Sequence, residues 1–235
     1  MIKLIGFDLD DTLWDVAPII RNAESHLNQW LIENVPALKF DVISMRELRH
    51  EMLIKEPHLV NQITEMRRRL IERAMLLSGL DNQTADRYSH DAIEQFLFAR
   101  NQITLFDGAE NALSVLAKQY RLCALSNGNA DINRLGLNHL FNFAFSAEQV
   151  GMPKPAPDLF SAALNHSQLS AGQMIYVGDD PKLDVDAAKK LGIYTIWMDR
   201  GTKPRGDSKP DQTITRIDEL AAAVDQIHSD AGRLG

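Results

Sequence analysis

Ile2-Lys3-Leu4-Ile5-Gly6-Phe7-Asp8-Leu9-Asp10-Asp11-Thr12 is the stretch whose reading decides the fold. An apolar run ends abruptly in carboxylates. Such a run reads as a strand buried on both faces, as in a parallel sheet. Ligands of open α/β sheets bind at the carboxyl ends of the strands, which is where Asp8 and Asp10 fall. Two carboxylates brought together repel unless a cation or a shared proton relieves them. The opening stretch therefore predicts a divalent-metal site built around a reactive carboxylate.

Working outward, the pattern changes at once. From Trp14 to about Asn101 apolar residues recur at helical spacing: Ile20, Ala23, Leu27 and Trp30; Met45, Leu48 and Met52; Leu59, Ile63, Met66, Leu70, Ala74 and Leu77; Ala85, Tyr88, Ala92, Phe96 and Ala99. Pro36, Pro57 and Gly79 punctuate these stripes, which predict about four helices forming a bundle of their own. The basic run Arg67-Arg68-Arg69 reads as a solvated helix face. From about Phe106 helical and apolar segments alternate. Strands are expected at Arg121 to Leu125, Met174 to Val177, Tyr194 to Trp197 and Thr213 to Ile217, and Phe143 to Phe145 is a brief apolar run. Helices are expected at Gly108 to Lys118, Asp131 to Gly136, Pro157 to Asn165 and Leu183 to Leu191, with Asp218 as N-cap of a terminal helix. Alternation of this kind means β-α-β units and a parallel sheet. The helical segment thus reads as an insert, placed as a lid straight after the first strand. The predicted domains are a Rossmann-like core of residues 1–14 and 103–235 and a helical cap of residues 15–102.

Composition limits the function classes. The 235 residues are 45% hydrophobic and 24% charged, as in a globular protein. A net charge of -7 argues against a nucleic-acid partner, which needs a basic surface. Cys123, the single cysteine, permits no intrachain disulfide and reads as a buried structural thiol. The first residues carry no basic-then-apolar leader and no apolar run approaches membrane length. A cytoplasmic protein with no membrane partner is the expectation.

Four polar segments follow predicted strands or open loops: Asp8 to Thr12; Ser126-Asn127-Gly128; Lys154 between Pro153 and Pro155; and Gly178-Asp179-Asp180 with Asp184. In a parallel sheet all four converge on one edge. Together they supply carboxylates for Mg²⁺, which prefers oxygen ligands, and a lysine, a hydroxyl and backbone N–H groups for phosphoryl oxygens. A carboxylate can attack phosphorus, and a second carboxyl can protonate the leaving alcohol and then deprotonate water.

These four segments resemble the signature motifs of the haloacid dehalogenase (HAD) superfamily, over nearly the whole chain, with the insert where that family places its type-1 helical cap. The resemblance implies a three-layer Rossmannoid sheet and a phosphatase working through an aspartyl-phosphate. It implies that Asp8 is the nucleophile and a ligand of Mg²⁺. Asp10 would be the acid/base and a metal ligand through its carbonyl, and Asp179 the remaining carboxylate ligand. Ser126, Lys154 and the backbone of Asn127 would hold the phosphoryl group, and Asp184 would orient Lys154 or a metal-bound water. Asp11 and Asp180 read as turn or capping residues. Members that cleave carbon–halogen bonds lack an acid/base at the position of Asp10, so its presence favours phosphoester hydrolysis. Phe7 to Leu13, Asn127 to Ala130 and Val177 to Asp180 are similar to a narrower group. Its members act on FMN and on the riboflavin precursor 5-amino-6-(5-phosphoribitylamino)uracil. Sugar phosphates or nucleotides, a phosphomutase, a dehalogenase and a non-catalytic binding module are the alternatives. Oligomeric state is not readable from the sequence.

Overall fold

A computed structural model describes residues 1–39 and 42–233. The chain divides into two compact units: Met1–Val16 with Ile103–Gly235, and Ala17–Gln102.

In the first unit six strands form one parallel sheet: β1 (Leu4–Phe7), β2 (Arg121–Ser126), β3 (Phe143–Ser146), β4 (Met174–Gly178), β5 (Tyr194–Met198) and β6 (Gln212–Ile214). Their order is β3-β2-β1-β4-β5-β6, so the opening strand is central and wholly buried. Leu4 pairs with Arg121 on one side and Met174 on the other. This register sets Phe7, Ala124 and Val177 level and brings the ends of all three strands to one edge. Helices α5 (Ala109–Ala117), α6 (Ala147–Val150), α7 (Asp158–Ser167), α8 (Ala187–Lys190) and α9 (Leu220–Arg233) cover the sheet. Leu4, Cys123, Leu125, Met174 and Tyr176 form a core with Leu159, Phe160 and Ala163 of α7 and Ala187 and Ala188 of α8. Burying side chains of this size contributes about 1.5–3 kcal/mol each. Cys123 is buried, and burial pushes its thiol far up, so it packs rather than reacts.

Several sequence expectations need correction. Asp131 to Gly136 is not a helix but a run of turns, in which Asp131 accepts the N–H of Asn133 and competes with helical pairing. Leu183 to Leu191 is not one α-helix: a wider π-type turn, Pro181–Asp186, precedes the short α8. The last strand ends at Ile214, where Glu219 takes the N–H of Thr215. Asp218 does not cap α9; it lies within a 3₁₀ turn, Ile217–Glu219, and pairs with Arg216.

The second unit holds α1 (Val16–Asn34, its first residue in the other unit), α2 (Val42–Lys55), α3 (Ile63–Leu77) and α4 (Asn82–Arg100), with a 3₁₀ turn at Pro57–Asn61. Asp81 starts α4 by accepting the N–H of Thr84. Ala23, Leu27, Ile71, Met75, Ala85, Ala92 and Phe96 make one core; Leu48, Met52, Leu59, Met66 and Ala74 make a second. The basic run is paired rather than simply solvated. Arg67 meets Glu24 and lies 3.9 Å above the Phe96 ring; Arg68 meets Glu65 and Glu72.

Candidate active site

Asp8 leaves the buried central strand, and its carboxylate stays buried at the sheet edge. Lys154 sits in the loop before α7 and is also buried. Its ammonium donates to Asp8 Oδ1 at 2.6 Å, Asp184 Oδ1 at 2.7 Å and the Tyr176 hydroxyl at 2.7 Å. Three donors thus meet three acceptors. Burial alone would pull the Lys154 ammonium down, but Asp184 and Asp8 hold it well above its ordinary value. Burial raises Asp8 despite Lys154, and Asp179 and Asp10 push it the same way. Asp184 is likewise pushed by burial to about 6, against the pull of Lys154.

The other expected residues gather round this pair. Asp8, Asp10, Ser126, Asn127, Lys154 and Asp179 line one cavity of about 170 Å³. Ser126 is buried at the end of β2 and accepts the N–H of Gly128. Asn127 uses its side chain as a clamp on Lys154, donating to the Lys154 carbonyl at 2.9 Å and accepting its N–H at 2.7 Å. The Asp10 side chain accepts the indole N–H of Trp14 at 2.9 Å. Asp11, at φ 60°, accepts the N–H of Val16 and an Arg200 N–H. Asp180 accepts the N–H groups of Lys182 and Leu183. Gly178 has a stereochemical reason: a Cβ there would stand 2.3 Å from Asp184 Oδ2, closing the path by which that carboxylate reaches Lys154.

Oxygen atoms of Asp8, Asp179 and Asp184 lie within 4.8 Å of one another. The sequence expectation grouped Asp8 and Asp179 with Asp10; the structure brings the Asp184 carboxylate into the cluster. Burial raises Asp179 as it raises Asp8, against the pull of the Lys203 ammonium beside it. Carboxylate oxygens with no sulfur or imidazole fit a hard cation such as Mg²⁺.

Comparison with known proteins follows from this geometry. Residues 2–192 match the haloacid dehalogenase-like hydrolase family. The chain belongs to that family. Among curated relatives of this HAD hydrolase is the 5-amino-6-(5-phospho-D-ribitylamino)uracil phosphatase YigB of Escherichia coli K12. It is 33% identical over 198 residues, 84% of this chain and 83% of that protein. A phosphoserine phosphatase of Thermus thermophilus is 30% identical over 59% of each chain. Among solved structures, a 2-haloacid dehalogenase of Pseudomonas syringae pv. Tomato DC3000 superposes with a TM-score of 0.92. It is 37% identical, covering 96% of this chain and 99% of that one.

Three residues of this HAD hydrolase's site are absent from the sequence reading. Tyr176, in an apparently apolar strand, accepts a hydrogen bond from the Lys154 ammonium and donates its hydroxyl to the Leu125 carbonyl at 3.0 Å. Trp197 donates to the Asp179 carbonyl at 3.0 Å. Lys203 lies 2.7 Å from Asp179 Oδ2 and 2.9 Å from Asp180 Oδ2. The signal for the first two was a polar tip inside an apolar run, which when buried needs a partner. Lys203 sits in a Gly-, Pro- and Lys-rich loop and gave none.

Proposed function

We propose that this HAD hydrolase is a Mg²⁺-dependent phosphatase of small phosphorylated metabolites, acting through an aspartyl-phosphate on Asp8. The observation that carries the reading is the buried 2.6 Å contact between Lys154 Nζ and Asp8 Oδ1, with Asp10 two residues on. In the proposed first step, an Asp8 oxygen attacks phosphorus and the ester P–O bond breaks. Asp10 gives its proton to the departing alcohol oxygen. In the second, Asp10 takes a proton from the water that attacks the aspartyl-phosphate, which releases inorganic phosphate and restores Asp8. Lys154, Ser126 and the backbone N–H of Asn127 hold the phosphoryl oxygens, while Asp184 and Tyr176 fix the lysine. Asp8, Asp179 and the Asp10 carbonyl would hold the metal, which would supply charge neutralisation between carboxylate and phosphate.

The E. coli relative favours the ribityl phosphate of the riboflavin precursor as substrate, and the resemblance of the sequence motifs adds FMN, ahead of sugar phosphates, nucleotides or a mutase reaction. In this reading the helical unit selects the leaving group and the sheet edge reads the phosphate. The test is hydrolysis of 4-nitrophenyl phosphate by chelator-stripped protein with and without Mg²⁺, followed by a panel containing FMN, sugar phosphates and nucleotides. Full turnover without metal overturns the reading. The dehalogenase name of the P. syringae structure supports a second reading, carboxylate attack on a halogenated carbon. Halide release from 2-chloropropionate, with no phosphate release from any ester, would favour it; Asp10 argues for phosphate.

A further inference from the structure

The cluster contains two lysines, and they divide the carboxylates between them. Lys154 holds Asp8 and Asp184; Lys203 holds Asp179 and Asp180. Lys203 rides on the loop after β5, and that loop has its own root. The buried Asp186 carboxylate accepts the N–H of Asp207 at 3.0 Å and of Ser208 at 2.7 Å. Gly206 passes so close that a Cβ would stand 2.7 Å from Asp186 Oδ2 and 2.9 Å from the Pro181 carbonyl. The loop therefore delivers the ammonium to the sheet edge without needing the ion pair to hold its fold. On the receiving side, Asp179 is fixed through its carbonyl by Trp197. Asp180 is fixed by the N–H groups that its Oδ1 accepts, leaving Oδ2 toward Lys203.

We propose that Lys203 is a tethered competitor of the divalent cation, sharing Asp179 with it and so setting the cation concentration at which the site fills. The inference rests on the reading of this site as a divalent-cation-dependent phosphatase. A cation drawing on the Asp179 carboxylate meets a group already bound to an ammonium. Lys203 then either retreats onto Asp180 Oδ2 or stays and repels the ion. Both lower the cation's affinity, so the sign of the effect is fixed by charge alone. Retreat onto Asp180 keeps the ammonium at the rim of the cavity, where it stands ready for an anionic ligand. The 201–209 loop is thereby the element through which the protein tunes its own demand for the ion.

Isothermal titration of the chelator-stripped full chain with MgCl₂ tests this directly, without turnover. Lys203→Met should bind Mg²⁺ about tenfold more tightly than the natural protein, and Lys203→Arg, which keeps the charge, should stay within about threefold of it. Lys203→Gln provides a second charge-removing variant, and the Mg²⁺-dependent rise in melting temperature should follow the same order. Unchanged or weaker binding by both neutral variants overturns the inference and leaves the phosphatase reading standing. So does binding by the Arg variant as tight as that by Met. Absence of Mg²⁺ binding from every chain overturns the reading and the inference together.

Discussion

The two units handle charge in opposite ways. In the helical unit the arginines pair on partly exposed helix surfaces: Arg68 and Arg69 meet Glu65 three and four positions away, Arg68 meets Glu72 four positions on, and Arg67 reaches Glu24 on another helix. Such pairs decorate helix surfaces and are each worth under about 1 kcal/mol. At the site edge of the sheet unit the pairs of Lys154 are buried and reach across the chain to Asp8 and Asp184, and the partly exposed Lys203 meets the buried Asp179. Burying such groups is unfavourable by several kcal/mol per ion before pairing offsets it. A surface pair can be lost without consequence, whereas a buried one persists because something uses it. Charge that is costly to keep marks the working end of this molecule.

The hardest way to break that contrast is at Asp8. Asp8→Asn should fold normally and lose phosphoester hydrolysis by at least about a thousandfold, since an amide is a poor nucleophile. Asp10→Asn should lose roughly a hundredfold or more, the usual effect of removing a positioned acid/base. Steady-state phosphate release, with circular dichroism to confirm the fold, checks both. Near-normal turnover by Asp8→Asn would place the chemistry elsewhere.

Stability offers the next test. Lys154→Met leaves the carboxyl groups of Asp8 and Asp184 buried without their cation, and should cost about 3–5 kcal/mol in urea unfolding at neutral pH. A loss under about 1 kcal/mol would mean that the lysine is no better placed than a surface one.

The smallest effect belongs to the helical unit. The hydrogen bonds of Arg68, opposed by burial and joined by Arg69, hold Glu65 at about 2 against an ordinary 4.5. A depressed carboxyl stabilises the fold above its unfolded value, and that contribution disappears as pH falls toward about 2. Because Glu65 is largely exposed, solvent screening reduces the effect. Glu65→Gln should destabilise by under about 1 kcal/mol at neutral pH. The difference from the natural protein should hold as melting is followed from neutral pH down to the unfolded value of 4.5, and shrink from there toward about 2. A constant difference would show that packing, not charge, is what the glutamate supplies.

The sheet and the gathering of Asp8, Ser126, Lys154 and Asp179 were legible in the sequence, because buried parallel strands are continuous apolar runs whose ends face one edge. The division of labour within the gathering was not. Asn127 reads as a ligand-facing residue, yet its side chain clamps Lys154, a contact made across 27 positions that no local pattern encodes. Asp184 gave its place on a helical turn but not that its carboxylate joins the cluster, which depends on the bare Cα of Gly178. Lys203 was hidden because a loop's path is set by tertiary anchors, here Asp186, rather than by periodicity. Asp131 to Gly136 failed for the converse reason: helical spacing was present, but the run is short and its Asp and Asn side chains compete for the backbone.

The central place of β1 has a consequence for how the protein comes into being. On a ribosome, β1 emerges well before its two neighbours, residues 121–124 and 174–177. Pairing of such remote segments is slow, because the intervening chain must be brought back before any contact rewards it. Ala17–Gln102, by contrast, has all of its internal partners at hand well before β4 is made. The nascent polypeptide therefore holds Asp8 apart from Lys154 and Asp179 until β4 has been made, and the carboxylates of this sheet edge meet late.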